Sequence, residues 1–291
     1  MMQVLADLLA LLGLERLEES LFRGQSQDLG WGNVFGGQVL GQALSAAQQT
    51  VPEGRSVHSL HGYFLRTGDA SKPIIYDVDR IRDGKSFTTR RVVAIQKGRA
   101  IFSMGASFQI DEGGFDHQVK MPEVPGPEEL ASETELARRV VDRIPPPLRT
   151  RAVADKPIEL REVKPVNLFA PEVREPQRYM WVRASDALPD DPQIHRSLLA
   201  YASDFHFMTT AWFPHGISWL TPGMQTASLD HAMWFHREFR LDDWLLYAIE
   251  SPSSSNARGF VRGHFFNRAG ELVASTVQEG LIRKRVPASL G

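Results

Sequence analysis

One stretch of this chain occurs twice, and that recurrence limits the folds open to it more than any single motif does. Phe64-Leu65-Arg66 is followed eleven residues on by Ile75-Tyr76-Asp77-Val78, and Phe235-His236-Arg237 is followed at the same spacing by Leu246-Tyr247-Ala248-Ile249. The offset of 171 also carries Arg91 onto Arg262 and Gln96 onto Asn267. With one more residue of slack, Gly98 falls on Gly270 and Ile101 on Val273. The chain therefore holds two copies of one supersecondary unit, each covering an apolar face that neither could bury alone. Polar residues present in only one copy are not required by the fold, so function is sought among them.

Each copy reads as a helix followed by an antiparallel meander, an α+β unit with the helix lying on its sheet. In the first copy, small and apolar residues from Val34 to Thr50 suit a buried helix starting after Asn33 or the glycines. Alternating runs at Val57–Leu65, Ile74–Arg82, Phe87–Gln96 and Arg99–Gln109 suit strands joined by tight turns at Asp83-Gly84 and Lys97-Gly98. Gly37 and Gly41, four apart, would give that helix a smooth stripe against the sheet. They match neither the dinucleotide nor the Walker phosphate pattern. In the second copy, strands are expected at Ile158–Glu162, Tyr179–Ala184, Ser228–Arg237, Trp244–Glu250, Arg258–Asn267 and Leu272–Arg283, with a helix over Gln193–Thr209 and turns at Ser253–Asn256 and Ala269-Gly270. Between the copies, seven prolines from Pro122 to Pro157 exclude long elements, and Ser132-Glu133-Thr134-Glu135 has the form of a capping box opening one short helix. The expected organisation is a unit over 1–110, a linker over 111–157 and a second unit over 158–291. Two such sheets would join edge to edge or face to face, since an open sheet leaves unpaired edges.

The start, Val4 to Leu14, has apolar residues at 4, 5, 8, 11, 12 and 14 and reads as an amphipathic helix packed on the body. It has no basic leader, contains Asp7, and is shorter than the ~20 apolar residues a membrane span needs. Thirty-three basic and thirty-five acidic residues give a net charge of −2, which points to neither a nucleic-acid nor a membrane-surface partner. The absence of cysteine excludes disulfides, a thiol nucleophile and thiolate metal sites, and it fits a reducing compartment. Ala288-Ser289-Leu290-Gly291 is not a Ser-Lys-Leu peroxisomal address. The expectation is a cytoplasmic protein.

Three polar residues belong to the second copy alone. Asp204 is expected inside the second helix, on a stripe with Ala200, Tyr201, Phe207 and Met208. The first helix has no acidic residue. So enclosed, the carboxyl would have a raised pKa and serve as a proton acceptor, or else it is a structural group paired locally. Gln278, within the last strand, has Ala106 as its counterpart. Ser228, opening a strand, has a position near Val57. Together the three could hold and deprotonate a water molecule without covalent catalysis. Asp230 is a rival carboxylate, expected on the same strand face as Ser228, with a salt bridge as its plainer role. His58 lines a cleft between units or is an ordinary core histidine. His58 and His61, like His231 and His236, face opposite sides of their strands, and no His-Glu-x-x-His helix occurs, so no metal or cofactor is expected. No Gly-x-Ser-x-Gly elbow is present. Arg90, Arg91, Arg258 and Arg262 fall at repeat-related positions and would meet phosphates or simply solubilise. Met233, Trp234 and Phe235 line an acyl tunnel or pack the core.

With these residues in view, the chain resembles the acyl-CoA thioesterase II family, whose members have a double hot-dog fold. The likeness runs through Leu21–Gln25, Val34–Val39, Val57–Arg66, Tyr201–Asp204, Asp230–Arg237 and Ser275–Gly280. It implies hydrolysis of fatty acyl-CoA by a water held between an Asp, a Thr and a Gln. The Asp and Gln match Asp204 and Gln278. The Thr position is Ser228, which keeps the hydroxyl and loses the methyl that fixes its rotamer. Members also carry a histidine at His58, which implies a supporting role, and a homo-oligomer, dimer or tetramer. A backbone N–H at the glycine-rich opening of the first helix, such as that of Gly37, would polarise the thioester oxygen. Two other readings use the same fold: a hydratase acting on enoyl-CoA through an Asp/His pair (Asp204 with His206 or His58), and a non-catalytic acyl-CoA-binding protein.

Overall fold

The computed structural model describes residues 2–30 and 32–284. The tail at Ala288–Gly291, read above as lacking an address, lies outside them. Helix α1 (Gln3–Leu12) buries Leu5, Leu8 and Leu12, the stripe that helical spacing demands. Then come β1 (Glu15–Glu18), β2 (Leu21–Gly24), α2 (Gly36–Gln48), β3 (Arg55–Phe64), β4 (Ile74–Asp83), β5 (Phe87–Gln96) and β6 (Arg99–Ile110). β1 leaves no trace in the sequence, because all four of its residues are exposed and none alternates. Lys97 and Gly98 both have positive φ, 49° and 70°, the hairpin geometry whose twist matches that of the strands it joins.

The linker holds α3 (Glu133–Arg139), opened by the expected capping box of Ser132 and Glu135. It also holds a second helix, α4 (Pro146–Val153). The expectation of one helix fails because proline in a first turn has no intrahelical N–H to lose. The second copy comprises β7 (Ile158–Glu162), β8 (Gln177–Ala184), α5 (Pro192–Ala202), a 3₁₀ segment (Met208–His215), β9 (Met224–Ser228), β10 (Asp230–Phe235), β11 (Leu245–Ser255), β12 (Arg258–Asn267) and β13 (Leu272–Lys284). The turn expected at Ser253–Asn256 lies instead at Asn256-Ala257, both at positive φ.

Among the described residues the strands form one antiparallel sheet in the order β1-β2-β4-β5-β6-β3-β10-β13-β12-β11-β8-β7, with β9 also on β13. The copies thus meet edge to edge, through β3 and β10, with Leu60 opposite Met233. Both helices lie together rather than each against its own sheet alone. A Cβ on Gly37 would stand 2.3 Å from the Tyr201 carbonyl oxygen, and one on Gly41 2.9 Å from that of Ser197. The glycine stripe therefore faces α5, not the sheet as its spacing alone suggested. The result is the double hot-dog architecture, with α2 and α5 antiparallel at its centre. No helix among the described residues is long and apolar enough to cross a membrane.

Candidate active site

The second helix is shorter than expected, and that shortening creates the site. α5 stops at Ala202, and His206 takes a φ of +57°, so Asp204 lies in a turn rather than inside a helix. The turn delivers its carboxylate to the N-terminal end of α2. A Cβ on Gly36 would meet Asp204 Oδ2 at 2.7 Å. Two consecutive glycines therefore admit the close helix pair and leave room for the acid. The backbone N–H of Gly37 favours the charged form of Asp204, which sets negative charge at the positive end of the helix dipole.

Gln278 Nε2 donates to Asp204 Oδ1 at 3.0 Å. Apolar rings close the rest. Phe64 lies over Gly36, and Phe35 stacks on Phe205 at 4.6 Å with Tyr201 edge-on to both. Burial among these groups pushes the Asp204 carboxyl above the ordinary carboxylate range, while the bonds from Gln278 and Gly37 pull it back. The Oε1 of Gln278 is buried without a hydrogen-bond partner among the described residues, leaving an acceptor beside the acid.

Ser228 ends β9 opposite Gly280 on β13. Residues paired in an antiparallel ladder share a face, so Ser228 lies on the Gln278 side of the sheet as its diagonal neighbour, about 7–8 Å away between Cα atoms. The register then slips: Ser228 pairs with Gly280, yet Ala232 pairs with Val277. Asp230 thereby turns to the opposite face from Ser228, against expectation. Its Oδ1 accepts the Glu279 N–H at 2.6 Å and pins the slip.

A second tier holds the Asp204 turn. The Ser203 hydroxyl donates to the Ala200 carbonyl at 2.9 Å and lies 3.0 Å from His231 Nε2, so His231 carries its proton on Nε2 and donates. Burial pushes His231 down to about 3, keeping it neutral. The Tyr247 hydroxyl donates to the Ser203 carbonyl at 3.1 Å, and Arg178 Nη1 donates to the His206 carbonyl at 2.7 Å.

Other expected site residues are placed elsewhere. His58 Nε2 lies 2.8 Å from Ser107 Oγ. It is six residues along β3 from Phe64, about 20 Å at the usual strand rise, so it does not join Asp204 in this chain. Met233 and Phe235 point inward and are buried, but Trp234 alternates to the outer face, edge-on to His61 at 5.0 Å. Three consecutive strand residues cannot line one tunnel. Arg258 and Arg262 pair with Leu281 and Val277, on the face away from Gln278, where Glu279 and Glu250 neutralise them. Arg91 is likewise paired, with Asp79.

Arg90 is 1% exposed and bonds Thr50 Oγ1 at 2.9 Å, the Thr50 carbonyl and Asp83. Thr50 follows the end of α2 as Asp204 follows the end of α5. The guanidinium thus fills the first copy's equivalent of the site instead of meeting phosphate. Sequence reading missed this plug and the role of Gly36. The paired glycines at a helix start were the available signal for the latter.

Two family models match, one for acyl-CoA thioesterase over residues 147–281 and one for the acyl-CoA thioesterase N-terminal domain over 26–109. The chain is 45% identical to acyl-CoA thioesterase 2 of Haemophilus influenzae, over 97% of this chain and 99% of that protein. It is 42% identical to human acyl-coenzyme A thioesterase 8, over 96% and 89%. The crystal structure of an acyl-CoA thioesterase II, TesB2, from Mycobacterium marinum superposes with a TM-score of 0.76 at 42% identity, covering 96% of this chain and 98% of that one. With this likeness across both copies, the chain belongs to the acyl-CoA thioesterase II family and is a thioester hydrolase.

Proposed function

We propose that the protein hydrolyses fatty acyl-CoA to free fatty acid and CoA, with Asp204 as general base and Ser228 and Gln278 orienting the attacking water. Asp204 takes one proton from water while the oxygen bonds to the thioester carbon. The tetrahedral adduct expels the sulfur as the C–S bond breaks, and the proton held by Asp204 passes to the thiolate. No acyl group is carried by the enzyme. The observation that carries this reading is the Gln278–Asp204 contact at the opening of α2, with Ser228 on the same face. An aspartate that accepts from Gln278 and whose carboxyl burial raises is a stronger proton acceptor than a solvated one.

The hydratase reading needs an imidazole on Asp204. His206 Nε2 lies instead against Glu133 at 2.5 Å, and His58 against Ser107, which favours hydrolysis. We further place the enzyme in the cytoplasm as a dimer or tetramer. The exposed apolar side chains of Tyr63, Leu65, Ile81 and Phe87 are the kind of surface such an assembly covers. Rapid-mixing measurement of thiol release tests the mechanism. The expected trace is linear from the first turnover, and a thiol burst accompanied by acylated protein in the quenched mixture would overturn it.

A further inference from the structure

Asp204 reaches the opening of α2 through a reversal of the chain at His206, whose φ of +57° crowds its own Cβ against the backbone. Thr50 follows α2 as Asp204 follows α5, but two residues beyond Thr50 stands Pro52 rather than a histidine. No residue from 49 to 53 has a positive φ. The strained reversal therefore belongs, like the acid, to the second copy alone. Such a conformation persists only where its surroundings hold it.

The linker supplies one hold. His206 Nε2 lies 2.5 Å from Glu133 Oε1, and an ionised carboxylate only accepts, so the imidazole donates. Glu133 opens α3, 73 residues earlier in the chain. Its other oxygen, Oε2, accepts from Lys156 Nζ at 3.2 Å, near the far end of the same linker. One carboxylate thus ties three separate segments together. Burial opposes its charge, yet His206 and Lys156 hold the carboxyl well below the ordinary carboxylate range. The sheet supplies the other hold. The His206 carbonyl accepts from Arg178 Nη1 at 2.7 Å and from Thr209 Oγ1 at 2.8 Å. Arg178, on β8, is 4% exposed and faces Glu162 at 3.0 Å. Ring and carbonyl are fixed from opposite sides, which keeps the residue between them left-handed.

We infer that Glu133 is a positioning residue for thioester cleavage: through His206 it holds the turn that sets Asp204 beside Gln278 at the opening of α2. The inference rests on the role of Asp204 proposed above and extends the machinery to the linker. Glu133 acts on where the base stands, not on how the substrate is held, so its loss should appear in kcat and spare KM.

The test measures thiol release by full-length Glu133→Ala and Glu133→Gln, each in the parent protein and in a His206→Gly background. Glycine takes a positive φ without crowding, so His206→Gly frees the turn from its need of Glu133 and should keep kcat within about fivefold. In the parent, Glu133→Ala is expected to lower kcat about ten- to a hundredfold, the effect of a base displaced by about 1 Å, with KM nearly unchanged. Glu133→Gln keeps an acceptor for the imidazole and should recover most of that loss. In the His206→Gly background, Glu133→Ala should change kcat by less than about twofold. Parental kcat in Glu133→Ala, an equal loss in both backgrounds, or an inactive His206→Gly protein would overturn the inference. So would a Glu133→Ala protein that fails to fold in both backgrounds, whereas folding and turnover regained with His206→Gly would support it. Parental turnover in Asp204→Asn is a separate failure, that of the base assignment itself.

Discussion

Gly37→Ala tests the packing that assembles the site. The new methyl would lie 2.3 Å from the Tyr201 carbonyl oxygen and 2.5 Å from the Phe35 ring. The first contact is ~0.7 Å short of the closest approach a real Cβ makes, and it is with backbone, so the helices must part. Overpacking of this kind costs about 1–3 kcal/mol, offset by the ~1 kcal/mol that alanine gains over glycine in a helix. The stability loss should therefore be modest, on the order of 1 kcal/mol. Activity should suffer far more, because parting α2 from α5 pulls the Gly37 N–H from Asp204, and a displacement near 1 Å costs about 10²-fold. Gly41→Ala meets Ser197 at 2.9 Å and the end of the Leu12 side chain at 3.1 Å, so its effects should be smaller. Gly105, with nothing within 4 Å, is the control, expected within about 0.5 kcal/mol. Urea unfolding gives the stabilities, and thiol release gives kcat. A Gly37→Ala protein with unimpaired turnover would refute the claim that these glycines place the base.

Gln278→Ala should lower kcat about 10²-fold with little change in KM, and Ser228→Thr should retain turnover where Ser228→Ala loses it, both read by steady-state kinetics. Because burial raises Asp204 in the folded protein, its carboxyl contributes stability that is present below about pH 3.9 and is lost as pH rises through the folded value. Asp204→Asn should therefore be more stable than the parent at pH 8, and the difference should vanish on acidification, as thermal unfolding at several pH values will show. Arg90→Leu should cost about 2 kcal/mol in urea unfolding by orphaning Thr50 while leaving KM for acyl-CoA unchanged. A raised KM would restore a phosphate-binding role.

Strand positions were legible because burial alternates along them. β5, β7 and β12 fall where the period-two pattern sets them, and the repeat fixed their correspondence. What the pattern does not encode is how the elements meet. Gly37 and Gly41 announce a close approach but not its partner, and only the fold shows that the partner is α5. Asp204 stands out as an acid missing from the first copy, yet its placement in a turn depends on His206 adopting a left-handed conformation that no residue type there announces. The slip between Ser228 and Ala232 is a single-residue event. It turned Asp230 away and is invisible to a reading that assumes unbroken alternation. Arg90 looked like a surface cation because its partners, Thr50 and Asp83, are distant from one another in sequence.

The central claim is that Asp204 deprotonates the water that cleaves the thioester. The most direct measurement is kcat for acyl-CoA in purified Asp204→Asn, with circular dichroism and unfolding confirming a native protein. Loss of a general base predicts a fall of about 10²–10⁴-fold with KM nearly unchanged. Turnover at the parental rate from that folded variant would contradict it.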